Sequence, residues 1–114
     1  MIRRGQVWWA DLGAPRGSSP GYKRPVVVVQ ADKFNKTNIE SVVVVMSTTN
    51  LRLGKMPGNV IVERGIGGLK EDSVINVTQV FTLDKSDLIE LLGTLPSEKL
   101  GRIDKGLAQV FALD

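Results

Sequence analysis

The 114-residue chain contains no cysteine and no histidine. Without cysteine there is no disulfide, no zinc finger and no thiolate nucleophile. Without histidine there is no Ser-His-Asp triad and no imidazole acid/base pair. Any catalysis must therefore use Arg, Lys, Thr, Ser, Tyr, Asp or Glu. No apolar run approaches the roughly 18 residues of a membrane span. The opening Met1-Ile2-Arg3-Arg4 reaches charged and turn residues too soon for a signal peptide, so a cytoplasmic protein with no membrane partner is expected. Acidic residues do not cluster at the spacing of a cation loop, and neither metal nor cofactor is expected.

What is present suits one packed domain spanning 1–114. Hydrophobic residues make up 42% and charged residues 24%. The net charge of +3 hides an asymmetry. Residues 1–57 hold 9 Lys/Arg against 3 Asp/Glu, and residues 58–114 hold 6 against 9, so the halves carry +6 and −3. A basic half suits an anionic partner such as nucleic acid. Solubilising surface charge explains +3 about as well.

Short strand-like runs alternate with turn signals. Gln6 to Leu12 is rich in aromatic and branched residues, as a strand is. Gly13 to Lys23, with Pro15, Gly17, Pro20 and Gly21, reads as a loop. Val26 to Gln30 and Ser41 to Met46 are continuous apolar runs, expected to be buried on both faces. Asp32 to Glu40 and Leu51 to Asn59 read as connecting loops. Val60 to Val62 is a short strand, and Ser73 to Val80 alternates like a half-exposed one. Leu88 to Leu95 fits a last strand or a short helix. At the end, Ser97 is a candidate helix cap, and Leu100, Ile103, Leu107, Val110 and Phe111 share one helical face. The pattern predicts a mainly β (α+β) fold: a small closed or half-closed antiparallel barrel with a C-terminal amphipathic helix.

One set of motifs is more specific. Arg4 to Gly13 (RGQVWWADLG) is followed by a Gly-Ser loop and then by Lys23-Arg24-Pro25-Val26-Val27-Val28-Val29-Gln30. Thr48-Thr49-Asn50-Leu51, Pro57 to Val60, Asp72 to Gln79 and Thr82 to Lys85 follow in order. Taken together the chain resembles the MazF/PemK toxins of bacterial toxin–antitoxin pairs over essentially its whole length. The resemblance implies an SH3-like barrel, a homodimer, and metal-independent, sequence-specific cleavage of single-stranded RNA that inhibits translation and growth. It also implies restraint by a cognate, MazE-like antitoxin peptide. Many family members carry Gly-Ser-Glu in the loop. Here the order is Gly17-Ser18-Ser19-Pro20, so a loop carboxylate's role is not carried over.

By the same resemblance Arg24 and Thr48 match the family's catalytic residues. A guanidinium suits a phosphate through parallel hydrogen bonds and stays protonated, which makes it an electrostatic clamp and a poor base. An ordinary arginine at a strand start would look the same in sequence. The Thr48 hydroxyl suits a phosphoryl oxygen or the 2′-hydroxyl, and Ser47 is its rival one position away. The expected products are a 2′,3′-cyclic phosphate or 3′-phosphate and a 5′-hydroxyl. Arg16, Ser18, Ser19, Tyr22, Lys23, Ser47, Thr49, Asn50, Arg52, Asn76, Thr78 and Gln79 are candidate RNA contacts. Trp8, Trp9 and Tyr22 offer stacking faces, although core packing suits at least one tryptophan equally. Asn50 can instead hold a turn. The terminal helix and the strand near Val42 are candidate dimer surfaces. Two other functions fit the composition: a CcdB-like gyrase-binding toxin and a non-catalytic RNA-binding barrel.

Overall fold

The structure is a computed structural model that describes residues 1–15, 17 and 22–114. The six strands among these are β1 (Gln6–Asp11), β2 (Lys23–Val28), β3 (Ser41–Thr48), β4 (Val60–Val62), β5 (Ser73–Asp84) and β6 (Leu88–Thr94). They form one antiparallel sheet in the order β4-β5-β3-β2-β1-β6. The sheet curls into a half-barrel, with the helix α2 (Ser97–Val110) packed on β4 and β5. The expected fold class is the one observed. No helix is long and apolar enough to cross a membrane among the described residues.

The two valine runs occupy the middle of the sheet because they serve two cores. Alternation sends Val27 and Val45 into one cluster with Val7, Ile75, Val77 and Ile103. It sends Val26, Val28, Val42 and Val44 into a second cluster with Ala10, Met46 and Leu88. A strand buried on both faces needs apolar residues at every position, which is why these segments show no period of two. Each fully buried valine contributes about 1.5–3 kcal/mol relative to exposure.

Several boundaries differ from those expected. β2 starts at Lys23 and β3 ends at Thr48, so the basic pair and the hydroxyl pair lie on strands. β5 runs on to Asp84 because Phe81, Thr82 and Leu83 pair with Val44, Val43 and Val42. Between Val45↔Val80 and Met46↔Asn76 its register jumps, and this irregularity bends the strand. The segment 32–40 contains a one-turn helix α1 (Asp32–Asn35), because Asn35 Nδ2 donates to the Gln30 carbonyl and to Asp32 Oδ1. Asn50 Oδ1 accepts the Arg52 N–H and starts a 3-10 turn over Leu51–Lys55, inside the second expected loop.

Helix α2 also differs. Pro96, not Ser97, is the residue before the first turn, and no side chain caps it. The chain arrives through buried Leu95, whose N–H bonds Gly5, so the Pro96 carbonyl accepts the first helical bond from Leu100 and Ser97 lies inside the helix. Ile103 and Gly106 are buried, while Val110 and Phe111 are 39% and 55% exposed. The contact is made at Gly106, where a Cβ would come within 2.2 Å of the Gly58 carbonyl oxygen. That close approach needs glycine, and the last turn is left uncovered by the chain's own sheet. At the far side, the turn Ile66–Gly68 closes on β6. Gly68, at φ +78°, would place a Cβ 2.0 Å from the Leu92 carbonyl oxygen.

Candidate functional site

A groove of about 660 Å³ opens where the end of β3 lies beside the start of β2. Its described lining includes Lys23, Arg24 and Pro25 from β2, Trp9 from β1, Glu90 and Leu92 from β6, and Ser47 and Thr48 from β3. Thr49, Asn50, Leu69, Lys70, Glu71 and Ser73 complete the wall. Three cations (Lys23, Arg24, Lys70) and two carboxylates (Glu71, Glu90) are among the lining residues. Arg24 is half-buried at the second position of β2, so its backbone is fixed by the β1 ladder opposite Ala10.

The two hydroxyls at the end of β3 are in different situations. The Ser47 hydroxyl is buried and donates to the Pro25 carbonyl at 2.8 Å. A serine has one proton to give, and here the protein takes it. Thr48 is half-buried, and its Oγ1 accepts the Asn50 N–H at 3.1 Å. That bond orients Oγ1 and leaves its proton available to a ligand. Among the described residues no three His, Cys, Asp or Glu side chains gather as a metal site would require.

The family described as "PemK-like, MazF-like toxin of type II toxin-antitoxin system" matches residues 3–111. The chain is 41% identical over 113 residues to "Endoribonuclease MazF6" of Mycobacterium tuberculosis and to "Endoribonuclease MazF2" of Mycobacterium bovis, with 99% of each chain covered. The chain belongs to the PemK/MazF toxin family. It is an endoribonuclease by that membership. A solved mycobacterial endoribonuclease in complex with its cognate antitoxin superposes with a TM-score of 0.83 at 26% identity, covering 100% of this chain and 98% of that one. MazF from Deinococcus radiodurans shares the fold, with a TM-score of 0.81 at 19% identity over 97% and 96% of the two chains.

In this MazF-type chain the groove gathers Lys23, Arg24, Ser47, Thr48, Thr49 and Asn50 from the residues singled out in the sequence. Its described lining does not take in the others. Tyr22 is 70% exposed, in the left-handed region at φ +61°. Arg52 is exposed on the 3-10 turn. Asn76, Thr78 and Gln79 lie at the bend of β5, where the Thr78 hydroxyl donates to Asn76 and Asn59 Oδ1 accepts the Val77 N–H. They sit where the register of β5 against β3 jumps between Val80 and Asn76. Arg16, Ser18 and Ser19 lie outside the described residues.

Lys70, Glu71, Ser73 and Glu90 were not foreseen. Glu90 reaches the groove because β6 pairs with β1, a contact between segments about 80 residues apart with no local signature. Trp8 and Trp9 divide as strand neighbours must. Trp8 packs on the second core and donates its indole N–H to Gln6 Oε1, whereas Trp9 lines the groove.

Proposed function

We propose that this toxin cleaves single-stranded RNA in the groove between β2 and β3, with Arg24 and Thr48 as its catalytic residues and no metal. The RNA supplies its own nucleophile. The 2′-hydroxyl attacks the adjacent phosphorus, the bond to the 5′-oxygen breaks, and a 2′,3′-cyclic phosphate and a 5′-hydroxyl result. Charge builds on the non-bridging oxygens as the fifth bond forms, and a fixed guanidinium is worth most at that moment. Arg24 is held on a paired strand, which limits the reorganisation required. Thr48 Oγ1, with its acceptor side occupied by Asn50, is oriented to donate to a phosphoryl oxygen. The observation that carries this reading is the meeting of Arg24 and Thr48 in one groove that also has a tryptophan wall.

Cutting messenger RNA in the cytoplasm stops translation, which is how such a toxin arrests growth. The antitoxin that restrains it covers the same groove, with carboxylates against Lys23, Arg24 and Lys70 and an ordering chain over the loops. The active form is a homodimer. The strand near Val42 does not serve as its interface, since β3 is paired on both sides and Val42 is fully buried within one chain. The uncovered Val110, Phe111 and Leu113 of the C-terminal end support that end as the interface. Incubating the purified protein with a long single-stranded RNA tests the activity. Fragments with 5′-hydroxyl and cyclic-phosphate ends are expected, and intact RNA would refute it.

A further inference from the structure

In the register of the sheet, Pro25 lies directly opposite Trp9, and Trp9 directly opposite Glu90. Directly opposed residues point to the same face. The three therefore form one row across β2, β1 and β6, and all three line the groove. Pro25 stands at one end of this row, Trp9 in the middle and Glu90 at the other end, and Lys23, two residues before Pro25, shares their face beside the Pro25 end. The row spans two strand spacings, roughly 10 Å. The β1–β6 pairing shifts register on both sides of the Trp8–Trp9 pair, between Val7 and Trp8 and between Trp9 and Ala10. Bulges of this kind re-aim the side chain beside them.

A carboxylate in a groove built for a polyanion is out of place next to phosphate. It repels phosphate and has no hydrogen to donate. Among the groups of a nucleotide it suits a base edge that offers N–H donors. A phosphate held at Lys23, on the same face as Trp9, places its base over Trp9, where any base stacks. The stacked base then turns its Watson–Crick edge toward Glu90. Guanine offers N1–H beside its amino group, and cytosine and adenine each offer an amino group. Uracil offers one N–H between two carbonyl oxygens, so a carboxylate near that edge meets an acceptor.

We propose that Glu90 is a specificity-determining residue that selects an amino-bearing base over uracil at one nucleotide flanking the cut, with Trp9 as the platform that presents it. The proposal rests on the RNA-cleavage reading and adds which base the groove admits. Glu90 is favoured over Glu71 because it stands on a paired strand in line with Trp9, whereas Glu71 lies on the segment before β5. Glu90 is exposed, so its replacement by glutamine leaves the core untouched. Glutamine both donates and accepts, and so tolerates uracil's carbonyl.

The test is cleavage of a randomised single-stranded RNA pool by the wild type, Glu90→Gln and Glu71→Gln, with the cut sites mapped by sequencing. For the wild type, uracil should be depleted about tenfold at one position beside the cut, the scale of a single base contact. Glu90→Gln should restore uracil there to near parity while still cutting amino-bearing bases, and Glu71→Gln should keep the depletion. Unchanged depletion in Glu90→Gln overturns the proposal, as does loss of depletion in Glu71→Gln instead. A uniform loss of rate in Glu90→Gln with unaltered preference also overturns it, because that is the signature of proton transfer or of structural damage. Absence of any cutting by the wild type would defeat the RNA-cleavage reading itself, and this inference with it.

Discussion

Ser47 and Thr48 are adjacent hydroxyls in the same groove, and exchanging each for an isostere should separate stability from chemistry. In Ser47→Ala the Pro25 carbonyl loses a 2.8 Å bond in a buried setting. Losing one partner of a buried pair costs about 1–3 kcal/mol. For a domain of this size that lowers the melting temperature by about 4–8 °C per kcal/mol. No group free to meet a substrate is removed, so the cleavage rate below the melting range should stay within about twofold of wild type, a difference of under about 0.5 kcal/mol. Thr48→Val keeps the shape and loses the oxygen that accepts the Asn50 N–H. That bond is half-exposed, and the Asn50 N–H can turn to water, so the stability cost is about 0.5–1.5 kcal/mol. The rate, by contrast, should fall about 10²–10³-fold, the usual loss when one donor to a developing oxyanion is removed. Thermal melts and single-turnover cleavage of one RNA read the two quantities separately. A Ser47→Ala protein that is stable but inactive, beside a fully active Thr48→Val, would refute the reasoning and move the chemistry one residue back.

Gly106→Ala improves helix propensity by about 1 kcal/mol but drives a methyl against the Gly58 carbonyl. A net loss of about 1–3 kcal/mol in denaturant melts is expected, and a more stable variant would refute the close packing of α2. The Arg4 N–H bonded to Asp32 at 2.8 Å, helped by Asn35 and nearby cations, holds the Asp32 carboxyl below its ordinary value of 3.8. A depressed folded-state value stabilises above the unfolded one and is lost as pH falls through the folded one. The melting difference between wild type and Asp32→Asn should therefore be constant above about pH 5 and vanish as the pH drops below 3.8. Phe111→Asp should shift the mass in light scattering from dimer toward monomer without lowering the helix signal, and an unchanged dimer would remove the C-terminal end from the interface.

The strand pattern was legible where local chemistry fixes it. The valine runs of β2 and β3 could only be buried on both faces, and the spacing of Leu100, Ile103 and Leu107 could only be helical. Legibility failed where two segments meet. The register jump beside Asn76, Thr78 and Gln79 depends on β3 and has no local code. Exposure of Val110 and Phe111 follows from the approach of Gly106 to Gly58, and periodicity alone counts them as core. In the candidate site, Arg24 and Thr48 were named through the family resemblance alone. Ser47 and Thr48 look alike in sequence, and only the structure shows the Ser47 hydroxyl committed to the Pro25 carbonyl. Glu90 stayed hidden because its place beside Trp9 is a property of the β1–β6 pairing.

The central claim is that the Arg24 guanidinium, carried on β2, stabilises metal-free RNA cleavage. The most direct measurement is cleavage of a long single-stranded RNA in EDTA by wild type and Arg24→Ala, matched by circular dichroism and with the fragment ends mapped. Wild type should cut in EDTA at the rate seen without it and leave 5′-hydroxyl ends. Arg24→Ala, equally folded, should lose at least about 10³-fold in rate. A strict Mg²⁺ requirement, or full activity in a folded Arg24→Ala protein, would contradict the account.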